Sequence, residues 1–397
     1  MIRLKWLMIV GVLVSIAGLS SAQTAPQGRG RGGRGGGMTP VQALRSPEVN
    51  ADRTVTFRFR APEATAVDVV GEVTMGKGPQ PMTKGEDGIW TLTLGPLPPE
   101  IWIYNFRVQG VQVPDPSNPA IKPVPPGFSM GSFVEVPGDS PAFYDSRAVP
   151  HGDVRMLMYE SKSMGVTRWL WVYTPPDYDR TSTKYPVLYL LHGNGEAQNG
   201  WVMNGRANII MDNLIADKKA QPMLMVMPQG HALQGAGVGP LVRIPGETEM
   251  FSDRFPKDLL EEIMPMVEHN YRILSDADHR AIAGLSMGGG QALIIGLTHP
   301  DLFHYVLGYS AAVVGQVVND AAFQRMLADP APLAHTKLVW VSVGRQDSLH
   351  DPNKQFAENL QAKGIKTMYH ESEGAHVWSV WRINLNETAP MLFAGSK

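Results

Sequence analysis

Three side chains far apart in the chain have the character needed for nucleophilic attack on an acyl group. Ser286 lies at the centre of Gly284-Leu285-Ser286-Met287-Gly288. Ala281, Ile282 and Ala283 before it read as a buried strand, and Gly289 to Leu293 after it begins a helix. A serine on such a strand-to-helix turn is sterically crowded. Small neighbours let the turn close and push the hydroxyl into the open. The helix start then aims N–H groups and a positive dipole end at developing negative charge. The bland alternative is a glycine-rich packing turn.

A hydroxyl needs a base, and the base needs an orienting acid. Residues 338–343 form a strong strand pattern, and Gly344-Arg345-Gln346-Asp347 follows it. Residues 367–371 form another, followed by Gly374-Ala375-His376. Asp347 is therefore the expected acid and His376 the expected base, both beyond the carboxyl ends of strands, where a parallel sheet gathers its site. Asp351 lies further from its strand end. His350 precedes the last strand and His370 falls within it. The developing oxyanion needs two N–H donors. Met287 should supply one, and the loop Leu191-His192-Gly193-Asn194-Gly195 the other, from Asn194 or failing that Gly195. His192 has no H-x-H or H-E-x-x-H neighbour, so no metal site is expected there. Trp201, Trp378 and Trp381 are candidates to line the substrate pocket, against the alternative of core packing. Residues 231–251 are expected to roof it, because so long a loop usually has a function.

The elements around these residues fall into two textures. Residues 39–137 read as short alternating strands (54–60, 66–70, 90–94, 101–108, 132–136) separated by turns such as Asp87-Gly88 and Pro114-Asp115-Pro116. That pattern predicts a β-sandwich. Residues 138–152 are polar and proline-bearing and read as a connection. From residue 153 to 397, strand-like runs (155–159, 168–173, 187–191, 223–227, 280–284, 305–310, 338–343, 367–371) alternate with helical stretches (207–217, 257–270, 287–298, 354–363). Alternation of this kind predicts a largely parallel sheet covered on both faces.

Composition narrows the chemistry. The 397 residues include no cysteine, so the nucleophile is a hydroxyl, a carboxylate or an amine. A net charge of −2 gives no electrostatic reason to expect nucleic acid as a partner. Arg3 and Lys5, then a short apolar run to Gly18, then Ser20-Ser21-Ala22, resemble an export signal cleaved before Gln23. The mature protein is then expected outside the inner membrane, in the periplasm or beyond, and free of the bilayer. Residues 23–38, with Arg29, Arg31 and Arg34 among glycines, read as a flexible tether.

Leu190-Leu191-His192-Gly193, Gly284-Leu285-Ser286-Met287-Gly288-Gly289 and Gly374-Ala375-His376-Val377-Trp378 resemble carbohydrate esterase family 1, which holds feruloyl and acetylxylan esterases and the esterase D-like proteins. The similarity spans nearly all of residues 153–393. It implies an α/β-hydrolase fold and a cofactor-free Ser/His/Asp hydrolysis of esters on plant polysaccharide side chains. It places the catalytic positions on Ser286, Asp347 and His376 and the oxyanion donors on Asn194 and Met287. The amino-terminal sandwich is similar to the immunoglobulin-like early set modules of carbohydrate-binding family 48, through Gly88-Ile89-Trp90, Ile101-Trp102-Ile103-Tyr104 and Asp115-Pro116. Trp90 and Trp102 could stack on sugar, although their strand context favours core packing. Two other functions are open. Enterochelin esterase-like proteins also place an early set domain before this hydrolase fold, and their anionic substrates would call for basic residues such as Arg206, Arg243 and Arg254. A non-catalytic glycan-binding protein on a hydrolase fold is the third.

Overall fold

The computed structural model describes residues 44–122, 130–234, 242–243, 252–315 and 317–394. The expected export signal and tether lie outside these residues, as does most of the expected roof loop. Of that loop, Leu233–Gln234 and Val242–Arg243 pair as a short antiparallel ladder.

The amino-terminal part is a sandwich of two antiparallel sheets. One holds β1 (Val55–Arg60) and β3 (Ile89–Leu94). The other holds β2 (Val67–Gly71), β4 (Glu100–Val108) and β5 (Gly131–Val136), with Ile121–Lys122 at its edge beside β5. Alternation sends Val55 and Phe57 inward to meet Tyr104 and Phe106. The Phe57 and Tyr104 rings lie 4.8 Å apart, edge to face. Asp115, expected in an ordinary turn, is instead buried. Its carboxylate accepts from Ser46 Oγ at 2.7 Å and Tyr104 OH at 2.8 Å, and its N–H donates to Ser132 Oγ at 2.8 Å. A buried carboxylate is tolerated only with such donors around it. Trp90 is also buried, its Nε1 donating to Ala61 O, and Trp102 Nε1 donates to Pro98 O.

The larger sheet has eight strands among the described residues: β6 (Asp153–Ser161), β7 (Val166–Thr174), β8 (Val187–Leu191), β9 (Leu224–Pro228), β10 (Arg280–Leu285), β11 (Tyr305–Tyr309), β12 (Leu338–Gly344) and β13 (Thr367–Ser372). Their order is β6-β7-β9-β8-β10-β11-β12-β13, antiparallel across β6, β7 and β9 and parallel thereafter. This is the α/β-hydrolase arrangement, with the sandwich in front of it. The inner strands are buried at every position, as double coverage requires. Helices α1 (Ala207–Ala216), α2 (Ser286–Thr298), α3 (His350–Ala362) and α4 (Trp378–Thr388) accompany them. The stretch read as one helix at 257–270 contains a wide π turn over Asp258–Ile263. Pro265 follows it. A proline cannot donate inside a helix and its ring presses on the preceding turn, so the turn opens. The widened turn leaves Asp258 facing Tyr159, Ser161 and the buried guanidinium of Arg168.

The two parts share one apolar cluster. Ile101 of β4 and Tyr144 of the connection pack with Trp201, Trp378, Trp381 and Leu385. The connection is held down by Asn213 Nδ2, which donates to the carbonyls of Phe143 and Asp145, each at 2.9 Å. Arg382 on α4, almost fully buried, reaches Glu100 of β4 at 2.6 Å and donates to Asn204 O at 2.7 Å. Removing one partner of such a pair leaves the other charge stranded. Arg382→Met should therefore cost about 3–5 kcal/mol of stability, read as a lower urea midpoint in equilibrium unfolding.

Candidate active site

Ser286 begins α2 with a left-handed φ of 52°, directly after β10. Non-glycine residues rarely hold that conformation, and it persists here because the surroundings leave no alternative. A Cβ at Gly284 would lie 2.3 Å from Gly288 O, and one at Gly288 would lie 2.5 Å from His192 O. Gly288 N–H donates to that same His192 carbonyl at 3.1 Å, so the turn is tied to the loop after β8.

The loops after β12 and β13 bring the acid and the base to the same rim. A Cβ at Gly344 would sit 2.3 Å from Gly374 O, so the two loops lie against each other. Gln346 N–H donates to Gly374 O at 3.0 Å, and Gly374 N–H donates to Gln346 Oε1 at 2.7 Å. His376 Nε2 lies 2.9 Å from Ser286 Oγ, and His376 Nδ1 lies 2.8 Å from Asp347 Oδ2. Asp347 Oδ1 accepts from Leu349 N–H at 2.8 Å. Burial alone would raise the Asp347 pKa. The hydrogen bonds from His376 and Leu349 outweigh it and hold the carboxyl below the ordinary aspartate value. An ionised Asp347 accepts the Nδ1 proton, which leaves Nε2 free to accept from Ser286. The rivals are occupied elsewhere: His350 contacts Asp351 and Glu371, and His370 faces Glu387.

Asn194 lies in a turn closed by Glu196 N–H donating to Gly193 O at 3.1 Å. Two histidines fix this turn. His192 Nε2 accepts from Gly230 N–H at 2.8 Å, so its Nδ1 carries the proton that meets Gly193 O. Burial pushes its pKa down to about 3 and keeps it neutral. His231 Nε2 donates to Asn194 O at 2.7 Å. The carbonyls of Gln229 and His231 in turn accept from Arg168, which pairs with Asp258. Met287 occupies the first turn of α2, where backbone N–H groups have no acceptor within the helix. Asn194 lines the same cleft as Ser286, and Met287 follows Ser286 in the first turn of α2.

These groups open into a cleft of about 290 Å³ lined by Gly193, Asn194, Gly195, Glu196, His376, Trp378 and Trp381 from the hydrolase. Trp381 sets its ring edge-on to His376 at 5.0 Å. Trp378 contributes to the lining although it is nearly buried, and its Nε1 donates to Glu196. Trp201 does not reach the cleft. It is fully buried, donates to Leu191 O and packs edge-on against Trp378, because the short helix Gly200–Met203 turns its indole into the core. Three lining residues come from the sandwich and were missed in the sequence: Glu72, Ile103 and Lys122. Burial raises the Glu72 carboxyl to about 7, against the opposing pull of Ile103 N–H, Arg382 and Lys122. Lys122 Nζ pairs with Glu196 at 2.7 Å. The module resemblance allowed for a sandwich that docks on the hydrolase and shapes its cleft, but it singled out none of these three side chains for that role.

The Esterase family model matches residues 161–392, more than half of the chain and all of the residues just described from the hydrolase. The chain belongs to the Esterase family. An endo-1,4-beta-xylanase/feruloyl esterase of Xylanibacter ruminicola is 31% identical to this esterase over 356 residues, or 87% of it. The esterase spans about half the length of that curated relative, 46%. A solved ferulic acid esterase superposes with a TM-score of 0.55 at 27% identity, covering 62% of this chain and 98% of its own. The enterochelin esterase of Shigella flexneri superposes with a TM-score of 0.65 over 86% of this chain and 92% of its own, at 19% identity. That likeness is one of fold. In this esterase, Asp347→Asn would present the wrong face to Nδ1 and lose the charge. It should lower kcat by about 10⁴-fold with the fold retained, measured by steady-state kinetics beside circular dichroism.

Proposed function

We propose that this chain is an exported serine esterase that removes feruloyl or acetyl groups from xylan side chains through an acyl-enzyme. One observation carries the mechanism: the unbroken line from Asp347 through His376 to Ser286, with contacts of 2.8 and 2.9 Å. His376 takes the Ser286 proton as Oγ attacks the ester carbonyl. Asn194 and Met287 N–H groups hold the oxyanion, each such donor typically contributing about 3 kcal/mol to the barrier reduction. His376 then returns the proton to the leaving alcohol, and water repeats the cycle on the acyl-serine. A feruloyl ester of xylan as substrate is supported by the relative that joins a xylanase to a feruloyl esterase and by the ferulic acid esterase fold neighbour, and an acetyl ester by an acetyl esterase relative at 23% identity.

The siderophore reading has the longer fold superposition in its favour. The charge around the site speaks against it. Arg206 is engaged by Glu135 at 2.6 Å and Asp145 at 3.6 Å. Arg254 donates to Ser163 O. The side chain of Arg243 lies outside the described ones. The cleft itself brings together Glu72, Glu196 and Lys122, a poor match for a strongly anionic catecholate.

Methyl ferulate and acetylated xylo-oligosaccharides should both be tested against ferric and iron-free siderophore trilactone, with products followed by chromatography. Turnover of a xylan-type ester, lost in Ser286→Ala together with fluorophosphonate labelling, is the expected result. Turnover of the trilactone alone would replace the substrate assignment, and an unlabelled wild type would leave a non-catalytic fold. Export rests on the pattern from Arg3 to Ala22. Amino-terminal sequencing of the protein secreted or released from the periplasm should begin at Gln23, and an intact Met1 would contradict export by cleavage.

A further inference from the structure

One wall of the catalytic cleft belongs to the β-sandwich, and the reaction chemistry makes no use of it. We propose that Lys122 of the sandwich is a positioning residue for the oxyanion turn, acting through the buried carboxylate of Glu196. The proposal rests on the esterase reading above and extends it. It makes the sandwich part of the catalytic unit.

Glu196 closes the turn whose central residues are Asn194 and Gly195, through its N–H to Gly193 O. Its side chain, only 6% exposed, accepts from Trp378 Nε1 at 3.2 Å, from Asn204 Nδ2 and from Lys122 Nζ at 2.7 Å. Trp378 and Asn204 are neutral donors. Lys122 alone of the three brings a charge. The carboxylate has little freedom to move, because the chain at Gly200 passes so close that a Cβ there would sit 3.2 Å from its Cβ and Oε2. Lys122 itself is fixed by backbone pairing, since Ile121–Lys122 runs beside Gly131 and Ser132 of β5. Without Lys122, a desolvated carboxylate takes up a proton or draws in water. With Lys122 gone, Trp378 Nε1 holds one carboxyl oxygen and Asn204 Nδ2 the other, so a proton on either oxygen competes with the donor already there and breaks its bond. The break falls at the end of the turn that presents Asn194 N–H. A displacement of about 1 Å at a reacting group costs on the order of 100-fold in rate.

The test uses the full chain and p-nitrophenyl acetate, an ester too small to need a sugar-binding wall. Lys122→Met, Glu196→Gln and the double variant are compared for kcat, KM and urea stability. Lys122→Met should lose about ten- to hundredfold in kcat, with KM little changed. The double variant should recover most of that loss. Its glutamine is neutral, and Asn204 Oδ1, without a partner among the described residues, can turn to accept from the new amide. Wild-type kcat in Lys122→Met would overturn the proposal, because a residue that only touches sugar moves nothing on this substrate. A double variant no faster than Lys122→Met would overturn it as well. If Lys122→Met does not fold, the double variant decides: kcat near wild type supports the proposal, and a tenfold deficit or failure to fold overturns it. A wild type that neither turns over the ester nor labels with fluorophosphonate overturns the esterase reading, and this proposal with it.

Discussion

The site depends on how closely the backbone passes itself around Ser286. The serine holds a left-handed φ, and Gly284, Gly288 and the His192 carbonyl meet at distances that exclude any side chain. Sterics alone forbid nearly every other sequence there. In return the hydroxyl stands clear of the sheet, at the start of a helix whose first N–H groups have no internal acceptor. The same closeness recurs at Gly344 and Gly374, where the acid loop lies on the histidine loop. The line of two hydrogen bonds from Asp347 through His376 to Ser286 is therefore set by backbone packing, and side-chain choice only completes it.

Around this centre the polar groups are arranged in shells that do not react. Asp258 orients Arg168, Arg168 holds the carbonyls of Gln229 and His231, and His231 holds Asn194. On the other side, Lys122 meets Glu196 and Arg382 meets Glu100. In each of these three pairs a buried charge meets an opposite one, as a low-dielectric interior favours. Rigidity of this kind is what electrostatic stabilisation of an oxyanion needs, because donors already in place require no rearrangement when charge develops.

The sequence made the chemistry legible where a short motif and a strand end coincide. Ser286 and Asp347 each follow an apolar run that reads as a buried strand, His376 follows a more polar strand, and the structure brings the three within hydrogen-bonding distance. The eight runs fall on the eight strands with ends shifted by a residue or two. Tryptophans were harder to read, because an indole at a strand or helix end looks the same in sequence whether it faces a cleft or the core. Trp201, expected at the cleft, packs in the core instead. The helix Trp378–Thr388 and the π turn before Pro265 left weak traces, one in a mixed polar pattern and one in a proline that only hinted at a break. Glu72 and Lys122 left none. They reach the cleft through packing between distant segments, which no local periodicity encodes.

The apolar cluster that joins Ile101 and Tyr144 to Trp201, Trp378 and Leu385 bears on how such a protein can be rearranged. A cut at the apparent boundary near residue 150 would slice through a continuous interior and leave greasy surface on both halves. Gene fusions or trimmed versions should keep everything from residue 44 onward as one cassette. Shuffling by recombination would be expected to move the pair together, since a transplanted hydrolase half would arrive with an open side.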